Sequence, residues 1–496
     1  MESPHPIRQL PEAAIRRIAP WRVVPALTAL LLGLWGLERG GSLWRDESVT
    51  WQVTHRPLGG LWELLGRVDA VHGLYYLIVH GIFQAWDGGL WALRLPSVAA
   101  TALAAAGVAA LAHRLAGERA ALIAGAVYAV LPPVQMYAQE GRSYALVAAA
   151  VVWATYLMLR ERWTAYAAVL LLGCWLHEFA VLALPAHAFT AWRSRGWRLA
   201  AGAVAVLLLP LALVSARQAG QQLGWLGRPA WQDWTAYGVL AGAVLLLARG
   251  AAERDLVRVA VPLALLPPGV LMAVSLVDPW YVDRYVLYSL AGLALLAGAR
   301  LAAAVRPGAV AAGAVRPTAV GPGAVRGRWT AVAGRWRRWP RPVVALLAVL
   351  LVPCALWSAW LRTPESRKDD ALAVAAAVRE AARPGDAVVF LPSRRREWLL
   401  SSPRTYAALR DVALDRSPEA SRSLQGTELP SAQLRAALIA SPRVIALLDP
   451  ADEPLDPYPR EAVKRQTLAA WFDLCSVTAV RGARVAVYAA PDTCGP

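Results

Sequence analysis

The sequence has 496 residues, 57% of them hydrophobic, with a mean hydropathy of +0.40 and a formal charge of +17. Repeated apolar runs of about 20 residues exclude an ordinary soluble domain, and their continuity excludes a β-barrel, which needs short alternating segments. The positive charge does not require nucleic acid, because arginines in the loops on one side of a bilayer account for it.

In chain order, the apolar runs fall at roughly 22–39, 93–112, 119–137, 143–159, 163–176, 178–192, 199–214, 235–249, 256–276, 285–302 and 342–361. This predicts an all-α polytopic membrane protein of about eleven spans. The first run follows a polar, Arg-containing segment (1–21) and has no small-residue cleavage site at its end, so it reads as a retained signal anchor. The two runs around Cys174 read as two short spans or one long helix.

Charges between the runs set the topology. With Arg8, Arg16 and Arg17 in the cytoplasm, alternate loops carry Arg114 and Arg119, Arg160 and Arg162, Arg193 to Arg198, and Arg249 to Arg258. The next cytoplasmic loop (303–341) is rich in Gly, Pro, Ala and Arg and contains no acid, which predicts a basic flexible linker. The opposite face receives a long outer loop (41–92) and everything after the last span. Residues 362–496 predict a small extracytoplasmic α/β domain: "DDALAVAAAVREAA" is an amphipathic helix, and "RPGDAVVFLP", "RVIALLD", "LCSVTAV" and "ARVAVYAA" are strands. Cys475 and Cys494 lie there, and an oxidising compartment would let them pair.

The outer face also gathers the isolated ionisable residues. Asp46 and Glu47 follow the first run, and Asp69 and His72 lie further along the same loop. Glu140 and Arg142, then His177 and Glu178, and finally Asp278, Asp283 and Arg284 occupy later outer turns. Charged and imidazole groups from separate helices at one bilayer edge predict a shared polar cavity. Most of the 23 tryptophans read as interface-belt residues.

The ordered segments "LWRDESVTW", "DAVHGLYYLIVH", "ALRLPSVAATALAAAGVAALAHRLAG", "PPVQMYAQEGRSYALVAAA", "HEFAVLALPAH" and "DRYVLYSL" resemble the glycosyltransferase family 39 superfamily across about residues 22–302. That superfamily has the GT-C fold and includes protein O-mannosyltransferases and the lipid A aminoarabinose transferase. The resemblance implies transfer of a hexose-type sugar, with mannose one candidate. The donor would be a polyprenyl-phosphate sugar and the acceptor a hydroxyl of an envelope glycan, lipid or protein, met at the outer membrane face.

The resemblance also implies roles. Asp46 would be the general base, with Glu47 beside it. Glu140 would position the acceptor or a divalent cation. Arg142 and Arg284 would hold the donor phosphate, assisted by Tyr285. Arg45, Asp69, His72, Tyr75, Tyr144 and His177 complete the substrate-binding candidates. Two departures from the family pattern stand out: "HGLYY" replaces a Pro-Pro-Leu-Tyr type segment, and Gly141 replaces a common Ala, a change expected to alter little beyond backbone freedom.

Two other classes compete. A polytopic transporter or lipid flippase calls for internal repeats and polar residues near the bilayer midplane. No repeat relates the halves, and the polar residues cluster at one edge. A non-catalytic scaffold displaying the C-terminal domain would leave Asp46, Glu140, Arg142 and Arg284 without a common purpose.

Overall fold

The computed structural model describes residues 19–223, 227–249, 251–304 and 352–494. The predicted basic linker, most of the N-terminal segment and the first half of the last predicted span lie outside the described residues.

The first run forms α1 (Val24–Leu34). The outer loop is not a loop. It folds into α2 (Arg45–Thr54), α3 (Leu58–Leu65) and α4 (Gly73–Ala85). Their apolar positions recur at helical spacing, as in Val49 and Val53 or Leu61, Leu64 and Leu65, all of them buried. Polar residues between them hid this pattern from a search for continuous runs.

The helices α5 (Leu90–Ala116) and α6 (Glu118–Val130) follow, separated by Gly117 at φ +89°. The chain then bends by 64° into α7 (Pro132–Ala138). Two consecutive prolines cause the bend: neither has an N–H to continue the helix, and Leu131 ahead of them is extended. This bend turns residues 139–142 in toward α2.

The pair α8 (Tyr144–Leu159) and α9 (Trp163–Leu176) is followed by extended His177, a 3₁₀ turn (Glu178–Leu182) and α10 (Ala183–Ala191). The runs around Cys174 are therefore two segments broken at His177. The core continues with α11 (Arg195–Leu223), α12 (Trp231–Arg249), α13 (Arg254–Val274), a 3₁₀ segment Asp283–Ser289, α14 (Leu290–Ala304) and α15 (352–360). Small residues let these helices approach closely. A Cβ on Gly298 of α14 would lie 2.4 Å from the Ala124 Cβ of α6. Among the described residues, four helices are long and apolar enough to cross a membrane, or five if the bent α6–α7 pair counts as one span. Helices Tyr144–Leu159 and Trp163–Leu176 and the segment Glu178–Ala191 are apolar but shorter.

The C-terminal region is α/β. Its helix α16 (Ala371–Ala381) covers one face of a five-stranded sheet of order β2-β1-β5-β7-β6. The strands are β1 (Ala387–Leu391), β2 (Arg410–Asp411), β5 (Arg443–Leu448), β6 (Asp473–Val480) and β7 (Ala483–Ala489); β3 (Leu414–Arg416) and β4 (Thr427–Glu428) form a separate ribbon. β1 runs parallel to β2 and β5, while β7 is antiparallel to β5 and β6. Val388 and Phe390 of β1 point to the α16 side, and Ala387, Val389 and Leu391 point to Leu434, Leu438 and Leu468. Both faces of β1 are covered, which is why its sequence is uninterruptedly apolar. Cys475 and Cys494 form a disulfide, with their Cα atoms 5.2 Å apart.

This region sits directly on α2. The Ser48 hydroxyl donates to the Glu397 carbonyl (3.0 Å) and to Ser401 Oγ (2.8 Å), while Gln52 and Arg56 donate to the carbonyls of Leu424 and Ser423. The 41–92 segment and the C-terminal region therefore share one end of the helical core.

Candidate active site

Asp46 and Glu47 are consecutive on a helix, so their side chains diverge by about 100°. This divergence gives them different surroundings. Glu47 points into the helical core and is fully buried. Its Oε2 lies 2.5 Å from Arg39 Nη2 and 2.7 Å from Arg94 Nη2, and its Oε1 accepts from Arg94 Nε (2.8 Å) and the Gly141 N–H (2.9 Å). Burial alone would raise its carboxyl pKa, but the Arg39 and Arg94 charges and the Gly141 N–H hold it down at about 2. Arg94 also ties the carbonyls of Leu37 and Ser42, so the clamp fixes the chain entering α2.

Gly141 has a stricter role than backbone freedom. A Cβ there would lie 2.4 Å from Leu93 Cγ, so an alanine would force either Leu93 or the turn carrying the Glu47-binding N–H to shift.

Asp46 points the other way, with its side chain 21% exposed. Its Oδ2 lies 3.3 Å from Arg284 Nη2, and Arg284 Nε donates to Tyr144 Oη at 3.1 Å. The guanidinium lies 5.9 Å from the Trp44 ring, 5.6 Å from Tyr144 and 5.7 Å from Tyr285. Tyr144, Tyr285 and His177 pack together, with His177 4.4 Å from Tyr285 between ring centroids. These aromatic faces orient the cation, and its ion pair among the described residues is with Asp46.

One helical turn from Asp46, Thr50 Oγ1 accepts from Arg142 Nη1 at 3.3 Å. Arg142 also donates to Tyr76 Oη (3.1 Å), and its Nη2 lies 3.3 Å from His72 Nε2. Tyr76 in turn donates to Asp69 Oδ2 at 2.7 Å. Asp69 occupies the left-handed region at φ +62°, which turns the chain so that His72 and Tyr76 face Arg142. Burial and the Arg142 charge push the His72 pKa well below its usual value, so the ring is neutral and its Nε2 can accept from Arg142. Arg142 is thus a buried cation held by two hydroxyls and an imidazole, with no ion pair among the described residues.

The remaining candidates are placed elsewhere. Glu140 is buried, with Oε1 2.9 Å from Arg367 Nε of the C-terminal region. Arg45 turns outward, 3.9 Å from Glu397. Tyr75 is fully buried in the helical core. Among the described residues, no group of three or more His, Cys, Asp or Glu side chains could hold a metal ion.

Sequence reading missed Arg39, Arg94, Tyr76, Arg367, Asp369 and Glu397. Arg94 carried a legible signal, a lone arginine inside an apolar run. The last three were not legible as neighbours of the site, because more than 300 residues separate them from α2.

No family model matches the sequence, and no curated protein matches it. Among solved structures, the apo crystal structure of ArnT from Cupriavidus metallidurans aligns over 94% of this chain and 97% of its own, with a TM-score of 0.55 and 13% identity. The chain has the fold of ArnT. ArnT crystallised with undecaprenyl phosphate aligns over 96% and 99%, with a TM-score of 0.49 and 14% identity. The likeness to apo ArnT is one of fold, and it agrees with the GT-C fold that the motif resemblance implied.

Proposed function

We propose that the protein is an integral membrane glycosyltransferase. It moves a sugar of hexose type, mannose being the first to test, from a polyprenyl-phosphate donor to an acceptor hydroxyl at the outer membrane face. One observation carries this reading: among the described residues the buried Arg142 makes no ion pair, and it meets Thr50 one helical turn from Asp46, whose carboxylate meets the aromatic-flanked Arg284. A buried guanidinium without a direct ion pair is costly unless an anion completes it, and its fork fits two phosphate oxygens.

In the reaction, the acceptor oxygen attacks the anomeric carbon. The bond from that carbon to the phosphate oxygen breaks, polyprenyl phosphate leaves with the electron pair, and the hydroxyl proton passes to Asp46. Arg142 and Arg284 stabilise the charge growing on the leaving phosphate. A donor phosphate competes with Asp46 for Arg284, so donor binding frees the carboxylate to act as base. Glu47, held at about 2 between two guanidiniums, is too weak a base at neutral pH and serves as scaffold.

We assign residues 22–302 to the transferase core, 303–341 to a cytoplasmic linker, 342–361 to the last span and 362–496 to an outer domain. The contacts of α2 with Glu397, Ser401 and Leu424 support a common side for the 41–92 segment and this domain. The test is to incubate purified protein with a panel of polyprenyl-phosphate sugars and acceptor extracts and follow donor consumption. Consumption of at least one donor is expected; no consumption across the panel would overturn the assignment.

A further inference from the structure

The sequence enters α2 as "SLWRDES", and the residue at the cap position is Trp44, whose side chain makes no capping hydrogen bond. A helix leaves its first backbone N–H groups without internal partners, and Ser, Thr, Asp or Asn at the cap normally receives one of them. Here the cap comes from 324 residues away. The Asp369 carboxylate accepts the Arg45 N–H at 2.6 Å. Its neighbour Asp370 accepts the Leu43 N–H at 3.2 Å, and the same oxygen caps α16 through the N–H groups of Leu372 (3.1 Å) and Ala373 (3.2 Å). The Ala371 N–H returns a bond to the Leu43 carbonyl at 2.6 Å. Three residues upstream of Asp370, Arg367 pairs with Glu140 in the turn whose Gly141 N–H binds Glu47.

We infer that Asp369 is a positioning residue for Asp46: the C-terminal region caps the helix that carries the base and thereby fixes the base against Arg284. This inference rests on the reading of Asp46 as base. Asp46 is the residue next to the capped N–H, so loosening the cap frays the turn from which its carboxylate projects. Displacements of about 1 Å at a reacting group can cost about 10²-fold in rate. Among the described residues Asp369 makes no hydrogen bond or ion pair with Asp46, and its contact with α2 is the backbone N–H of Arg45.

Three variants separate geometry from charge. Asp369→Asn keeps an oxygen at the same reach, Asp369→Glu keeps the charge but overshoots by a methylene, and Asp369→Ala removes the acceptor. Hydrogen exchange of the amides at residues 45–47 reads the cap whether or not any donor is consumed. Steady-state kinetics on the donor that the wild type consumes read its effect on the base. We expect exchange to accelerate about 10-fold or more in the Ala and Glu variants. Their kcat should fall about 10-fold or more with donor KM unchanged, while Asn resembles wild type in both. Wild-type exchange in both the Ala and Glu variants would overturn the cap. Faster exchange with unchanged kcat, or an equal loss in Asn and Glu, would overturn the positioning role. A wild type that consumes no donor would instead count against the proposed function and leave the exchange result to decide the cap. If the Ala variant does not fold, the Asn–Glu comparison carries the same decision.

Discussion

Replacing Glu47 by Gln tests whether the second acid of the Asp-Glu pair is scaffold or chemistry. The change leaves Arg39 and Arg94, both with fully buried side chains, without the carboxylate that pairs them. Breaking a buried pair by removing one partner costs about 3–5 kcal/mol. The amide keeps one oxygen for the Gly141 N–H, which places this variant near the lower end. Proton linkage gives a similar magnitude. The Glu47 pKa falls from 4.5 to about 2 on folding, worth about 3 kcal/mol, present above pH 4.5 and lost as pH falls through about 2. Thermal unfolding in detergent at pH 7 should show a melting temperature lower by about 5 °C or more. Among the described residues the Arg39 side chain hydrogen-bonds only to Glu47, and its Nε and Nη1 are unpartnered. Arg39→Met should therefore cost less in the Glu47→Gln background than alone, with a coupling of about 1–3 kcal/mol. A Glu47→Gln protein that melts like wild type yet has lost transfer would refute the scaffold reading and return Glu47 to the reaction.

Glu397→Gln should change stability in a pH-dependent way. Burial pushes Glu397 up to about 7, with Arg45 opposing and Asp69 and Asp46 adding to the rise. A raised carboxyl contributes stability fully below its unfolded pKa of 4.5 and loses it as pH rises through 7. Wild type and Gln variant should melt alike near pH 4, and the variant should be more stable at pH 8 by up to about 3 kcal/mol; a pH-independent difference would contradict this. Arg284→Ala should weaken donor binding by about 10-fold or more, measured by titration with a non-transferable polyprenyl phosphate, because it removes a charge-assisted contact. Replacing Cys475 and Cys494 by Ala should lower C-terminal stability by about 3 kcal/mol, as expected for opening a loop of this length, and leave donor binding unchanged.

Much of the fold was legible because hydrophobicity wrote it directly. The apolar runs became helices, and "AVVFL" and "RVIALL" became the two central parallel strands. The segment 41–92 was misread as a loop because α2 mixes buried polar groups such as Glu47, Thr50 and Gln52 with apolar ones, which erases the continuous signal. In the site, the residue types were legible, but the direction of each side chain was not. Asp46 and Glu47 look equivalent in sequence, and only the helical phase separates an open carboxylate from a clamped one. Glu140 looked like a cavity acid until its partner Arg367 emerged from the C-terminal region. Such pairings depend on tertiary approach and leave no local pattern.

The central claim is that Asp46 takes the proton of the acceptor hydroxyl. Asp46→Asn keeps the shape and removes the basicity, and a positioned base is worth about 10²–10⁴-fold in rate. The direct measurement is single-turnover transfer from a bound polyprenyl-phosphate sugar, with donor affinity determined on the same preparation. The account predicts a rate lower by about 10²-fold or more, with donor bound at least as tightly because Arg284 is released from its carboxylate. Near-wild-type single-turnover transfer in Asp46→Asn would contradict it.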